Sequence, residues 1–429
     1  MILLDMNRFY LVNLMINSAK EISIYYFIAC ISFVLGLFMQ DFFKVPLTAG
    51  IILIGLSWIF SFSFKEKLKL LMTEPAAIAF ILLYFLHLLS MLYTENLHIG
   101  WNDLRLKISF LLLPFFIASS KFISSQQRLF ILRFFALLMM LMASTDLILS
   151  FLEYLDGEST SVFYYVQLPH VLASKVHYVA WYYSIAIFIT FYQIITDIKW
   201  RNLWILGLLF LLVSLLLLSS RIFLIAFTIV FSVSFLNWAK AYGIFGIRGL
   251  KIVVCFFMFI GLLFLMPITN SRINDAVVEL KNVLGNDIQK QTNARVFLWR
   301  YGVDLISEKP ILGYGVGDAK MALGSALESC EAEFWDGQRN IPIQNKNYNF
   351  HNQFMQTWAE VGIFGFFALL FIMIHPFLLK NTHPLFLIFV ALTFIGFLTE
   401  SMLERQAGVL LFAFMYPLLA GLKRFPEET

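Results

Sequence analysis

Charge is scarce in this 429-residue chain: Asp, Glu, Lys and Arg make up 14% of it, against 60% hydrophobic residues. Mean hydropathy is +0.80. A water-soluble domain, roughly a quarter charged, is excluded by that balance. Cysteine is nearly absent: Cys30 and Cys255 lie in apolar runs and Cys330 stands alone. Neither a disulfide framework nor a cysteine metal site is expected. Metal-ligand spacing is missing among the histidines as well, since His351, His375 and His383 fall on opposite sides of the topology below, so no metal and no cofactor are expected. The run GYGVG at Gly313 to Gly317 has no Gly-Lys-Ser or Gly-Lys-Thr after it and no strand before it, which argues against a phosphate loop. Low-complexity tracts and internal repeats are lacking, and no nucleic-acid partner is expected. The first 20 residues hold Asp5, Arg8 and Lys20 and lack a small-residue cleavage site, so they do not read as a removable signal peptide.

What the chain has is apolar runs close to the length that crosses a ~30 Å hydrocarbon core. They predict an all-α polytopic membrane protein, a single membrane domain over residues 1–429 with about twelve spans. These are Ile24 to Met39, Pro46 to Phe64, Ala76 to Tyr93, Ser109 to Ser120, Leu129 to Phe151, Val176 to Ile195, Leu203 to Leu218, Ile222 to Trp238, Ile252 to Pro267, Gln353 to Ile374, Pro384 to Phe397 and Ala407 to Leu422. The fourth is short and contains Pro114, which suggests a kink. Lys65, Lys67, Lys69, Lys121, Arg128, Arg133, Lys199, Arg201, Lys240, Lys251 and Lys380 concentrate in alternate loops. The excess of basic residues assigns those loops and both termini to the cytoplasm.

Residues 269–350 then form a long outer loop between the ninth and tenth spans, the one segment long enough for secondary structure of its own. Apolar spacing predicts an amphipathic helix at Ser271 to Leu284 and a second helix at Asn293 to Ser307, ended by Pro310 and the glycines of the GYGVG turn.

Polar candidates collect at the outer rim. An arginine at a membrane face must pair, reach water or bind an anion. Arg221 opens a span there, and Arg295 and Arg300 flank Trp299 on the loop helix, so they are either solvated or interfacial residues or a phosphate-binding set. His351 and Asn352 stand between the polar loop and a span. His351 is either a capping residue or a general base, a role suited to an imidazole with its unperturbed pKa of ~6.5. Gly362 and Gly365 read as small residues allowing close helix packing. His177 precedes Tyr178, Trp181 and Tyr182, which line either a site or an interfacial aromatic belt; His170 reads as a loop residue. Asp146, inside a span, is either a helix-to-helix hydrogen bonder or a site residue. Glu400, Glu404 and Arg405 share a short outer connection, as a local Glu–Arg pair or as sugar contacts.

The arrangement of these residues resembles the O-antigen ligase and polymerase superfamily of bacterial membrane glycosyltransferases. The resemblance rests on His351-Asn352, nine residues, then Gly362-x-x-Gly365; on Arg221 at an outer helix start; and on Arg295-x-x-x-Trp299 followed by Pro310-x-x-Gly313-x-Gly315. It covers about Arg221 to Gly408. It implies a C-type, metal-independent, inverting glycosyltransferase of lipopolysaccharide biosynthesis in the bacterial inner membrane. The donor would be an undecaprenyl-pyrophosphate-linked glycan and the acceptor a sugar hydroxyl of lipid A core, with membrane lipids around it and the site facing the periplasm. His351, Arg221 and Arg295 would be catalytic, and Asn352, Arg300, Trp299, His177, Glu400 and Arg405 would contact substrate. Ligase is favoured over a surface-polysaccharide polymerase by the single late outer loop. A transporter would place ionisable residues near the midplane of several spans, where the sequence shows few.

Overall fold

The computed structural model describes residues 2–61, 63–172, 176–242, 294–328, 333–335, 340–342 and 348–422. Cys255, Cys330, the predicted ninth span and the predicted helix at Ser271 to Leu284 lie outside them. The described chain is almost wholly helical: α1 (Ile2–Met39), α2 (Val45–Ile59), α3 (Phe64–Met72), α4 (Pro75–Ser90), α5 (Leu97–Lys107), α6 (Ser109–Ala118), α7 (Ser125–Leu155), α8 (Val176–Thr196), α9 (Arg201–Leu218) and α10 (Arg221–Tyr242) come first. After the undescribed segment follow α11 (Ala294–Glu308), α12 (Ala319–Glu328), α13 (Gln353–Leu378), α14 (Pro384–Phe397) and α15 (Gln406–Ala420). A two-stranded antiparallel hairpin pairs Glu333–Trp335 with Asn340–Pro342.

Each predicted span within the described residues is met by a helix, but length is a stricter test. Five described helices are long and apolar enough to cross a membrane, or six if α2 and α3 are one broken span, and four further apolar helices have 10–17 residues. A count of twelve crossings is therefore not established.

α15 and α8 are innermost. In α15 every residue from Ala407 to Leu419 is buried, which suits a helix apolar on all sides. Phe412 packs against Phe80, Phe389 and Phe397, and Phe414 stacks on Phe33 at 4.4 Å. At one end of α15 the buried Arg128 donates to the carbonyls of Pro417 and Leu418, at 3.0 and 2.9 Å, satisfying groups that helix termini leave open. Asp146 is a helix-to-helix hydrogen bonder. It accepts from Tyr183 Oη and from the backbone of His170 and Val171, each at 2.9 Å.

At the other end, α11, α12 and the start of α13 form a second, smaller core around Leu298, Leu323 and Phe350. Here α13 is broken. Val361 and Gly362 leave helical geometry, with Gly362 at φ +71°, and the turn after α11 enters the gap. Tyr314 and Gly315 N–H groups donate to the carbonyls of Ala359 and Glu360 at 2.8 and 3.0 Å, and Ile363 N–H donates to the Pro310 carbonyl at 3.0 Å. The break thus keeps its backbone groups paired. A β-carbon at Gly362 would sit 1.9 Å from the Ile311 carbonyl oxygen, and one at Gly313 would sit 2.6 Å from that of Ala359. The Gly362-x-x-Gly365 spacing therefore serves a helix break that receives a turn, and the reading as a helix-packing face is corrected.

Candidate active site

α9 ends at Ser219 in a left-handed turn (φ +48°), and α10 opens at Arg221. The Ser220 hydroxyl between them lies 3.0 Å from His177 Nδ1, in the first described turn of α8. The rear of that turn is fixed by buried aromatics: Tyr178 and Tyr182 donate to the carbonyls of Met402 and Ala407, at 3.2 and 2.9 Å, and Trp181 is fully buried. Tyr178 and Tyr182 tie α8 to the connection before α15 and to the start of α15, and Trp181 stacks on Phe389 of α14; the interfacial-belt reading does not apply to these buried rings.

That connection presents Glu400, which is the hub. One carboxylate oxygen lies 3.0 Å from His351 Nδ1. The other lies 3.2 Å from His177 Nε2 and is also paired with the Arg295 guanidinium. Arg295 Nε donates to the Thr399 carbonyl at 3.2 Å. Burial pushes the Glu400 carboxyl up, but the hydrogen bond from His351 and the charges of His177, His351 and Arg295 outweigh it and hold it well below the usual carboxylate range. A carboxylate fixed in this way accepts from His351 Nδ1, which assigns the hydrogen to Nδ1.

His351 is held by its neighbours in a left-handed conformation, φ +44°, a costly state for a non-glycine residue. Its N–H donates to Asn349 Oδ1 at 3.0 Å, and its carbonyl accepts from Trp299 Nε1 at 3.4 Å. Asn352 caps α13. Its Oδ1 accepts from the N–H groups of Phe354 and Met355, and its Nδ2 donates to the Leu398 carbonyl, all at 3.0 Å. The structure gives Asn352 a capping role, and Trp299 a backbone contact to His351.

Arg300 is exposed on α11, and Arg405 is exposed as the residue before α15. Glu404 pairs with Lys107 at 3.0 Å and with Lys320, and Glu400 pairs with Arg295, so both acids of this connection take partners distant in sequence. Arg221 opens α10 one residue after Ser220.

A second group of charges went unnoticed in the sequence. Lys107 Nζ, fully buried, lies 2.6 Å from Asp103, 2.8 Å from Glu360 and 3.0 Å from Glu404. His87 Nε2 lies 3.3 Å from Glu360, whose other oxygen accepts from Gln356 at 2.6 Å. Ligand atoms of His87, Asp103 and Glu360 lie within 4.8 Å of one another, close enough for a metal ion, but the Lys107 ammonium stands in that place. Burial alone would lower the Lys107 pKa, yet Asp103, Glu360 and Glu404 raise it well above the ordinary value and keep it charged. The Asp103–Lys107 spacing of four on α5 was the available signal. His87 and Glu360 stand in apolar runs and are buried, so ionisable residues do lie within the helices, contrary to the expectation that set the chain apart from a transporter.

Known proteins match this region. Residues 206–370 match the family model described as O-antigen ligase, the stretch that contributes Arg221, Arg295 and His351. Residues 206–370 are thus similar to the O-antigen ligase family, and several helices around them are long and apolar enough to cross a membrane. Over 129 residues it is 29% identical to a Rickettsia conorii protein described as a candidate polysaccharide ligase. That match covers 28% of the chain and 30% of the relative's length.

Proposed function

We propose that this protein is a metal-independent, inverting glycosyltransferase. It moves a preassembled glycan from undecaprenyl pyrophosphate to a sugar hydroxyl of lipid A core at the periplasmic face of the inner membrane. The observation that carries the reading is the Glu400–His351 pair at the end of the bundle where Arg221 opens α10 and Arg295 meets Glu400.

The acceptor hydroxyl is a weak nucleophile. With Nδ1 donating to Glu400, Nε2 of His351 is the atom that takes the hydroxyl proton as its oxygen attacks the anomeric carbon. The bond from that carbon to the pyrophosphate oxygen breaks on the opposite face, and the electron pair leaves with the pyrophosphate. Fixed cations answer that charge. Arg221 sits in the first turn of α10, where its guanidinium and the positive helix end together favour an anion. Arg295 offers the planar fork suited to phosphate oxygens. The prenyl tail stays in the bilayer throughout, which fits a site built on helix ends.

A strain lacking the gene tests the choice of substrates. Long glycan still on undecaprenyl pyrophosphate, with bare lipid A core, is the expected phenotype. Core capped by a single repeat unit would instead identify a polymerase.

A further inference from the structure

Glu400 and Glu404 belong to one short connection, Leu398–Arg405, yet they face different surroundings. Glu400 meets His351, His177 and Arg295. Glu404 meets Lys107 and Lys320. Lys107 belongs to α5, and through Glu360 it also grips α13 at the residue before the Val361–Gly362 break. Three elements that carry or border the candidate site therefore meet on one buried ammonium.

Apart from the ion pairs of Glu400 and the Arg295 bond to the Thr399 carbonyl, the other anchors of the connection are neutral hydrogen bonds. Leu403 N–H donates to Gln353 Oε1 at 2.6 Å, Asn352 N–H donates to Ser401 Oγ at 3.2 Å, and Tyr178 holds the Met402 carbonyl. These bonds are outweighed if a buried carboxylate beside them loses its counter-charge, because an unpaired charge in the interior is far costlier than a lost neutral hydrogen bond. Removing Lys107 leaves Glu360 and Glu404 facing each other's surroundings with only His87 and the partly exposed Lys320 to answer them. Relief would come by shifting the connection toward water, and Glu400 would shift with it.

We propose that Lys107 is a positioning residue. It fixes the Leu398–Arg405 connection through Glu404 and Glu360, and so holds Glu400 where it orients His351. The kinetic consequence rests on the glycosyltransferase reading above; the structural consequence does not.

The test uses the full-length protein in detergent or nanodiscs, as wild type, Lys107→Met, Glu404→Gln and the double variant. Hydrogen exchange is read first. Lys107→Met is expected to speed exchange of the 398–405 amides by at least ~10-fold, the scale of losing a hydrogen bond to a charged group, with α8 and α15 unchanged. Adding Glu404→Gln to Lys107→Met should restore much of the protection, because it removes a carboxylate left without its partner. Unchanged protection in Lys107→Met, or no restoration in the double variant, overturns the proposal whether or not transfer is detected. If Lys107→Met does not fold, Glu404→Gln decides alone: it should loosen 398–405 selectively, and equal protection there overturns the proposal.

Where transfer is measurable, Lys107→Met should lower kcat by ~10-fold or more with donor KM nearly unchanged, and the double variant should recover part of kcat. A rise in KM with kcat intact would mark a substrate contact and contradict the positioning role.

Discussion

His351 Nδ1 lies 3.0 Å from Glu400, and the two residues come from different helix connections 49 positions apart. The carboxylate selects one tautomer of the ring and fixes its plane. On the proposed reading, the base nitrogen is thereby defined before any substrate arrives.

His351→Ala should retain membrane insertion and expression and lose transfer by ~100-fold or more, the usual scale for general-base loss. Glu400→Gln should fall by a similar ~100-fold, because an amide nitrogen facing Nδ1 favours the wrong tautomer. Transfer rates of purified variants with matched melting curves check both. Wild-type rates in a folded His351→Ala protein would remove its role.

Arg221→Ala and Arg295→Ala should each weaken use of the pyrophosphate donor, and Lys at either position should rescue only in part, because the two-pronged contact is lost. Donor titrations measure this. Full rescue by Lys at both sites would point to diffuse attraction. Transfer should also persist in excess chelator.

Gly362→Ala should destabilise the fold by more than the ~1–2 kcal/mol of a left-handed alanine, because its β-carbon would also meet the Ile311 carbonyl at 1.9 Å. Gly324→Ala is the matched control. Gly324 lies in α12 with nothing near its would-be β-carbon, so alanine there should stabilise by roughly 0.5–1 kcal/mol. Thermal melts of the two variants should shift in opposite directions.

Stability should also depend on pH through Asp103. Burial pushes its carboxyl up to about 8, against the pull of Lys107, while Glu404 and Glu360 add to the rise. A folded-state pKa above the unfolded one contributes stability that is complete below the unfolded value, ~4, and is lost as pH rises through about 8. Wild type should therefore lose melting temperature relative to Asp103→Asn between mildly acidic and alkaline buffer. A constant difference would show that Asp103 keeps an ordinary pKa.

The helices were legible because an apolar run long enough to cross a bilayer has few other uses in a chain so poor in charge. The loop helix was legible for a similar reason: predicted at Asn293 to Ser307, it is found at Ala294–Glu308. The break at Gly362 was not, since the turn that fills it lies about 50 residues earlier in the chain, and local spacing cannot show that two segments interleave. Lys107 and Glu360 are 253 positions apart. Neither has a neighbour in sequence that points to the other. His351, Arg221, Arg295 and Glu400 were all legible as candidates, but the pairing that makes Glu400 the hub belongs to the folded chain.

Reconstituted transfer tests the central claim most directly. Purified protein, undecaprenyl-pyrophosphate-linked glycan of defined length and lipid A core acceptor should yield core bearing that glycan at unchanged length, with the new anomeric linkage inverted. His351→Ala, under the same conditions, should give almost none. Retention of anomeric configuration, lengthened lipid-linked glycan, or equal yield from His351→Ala would contradict the account.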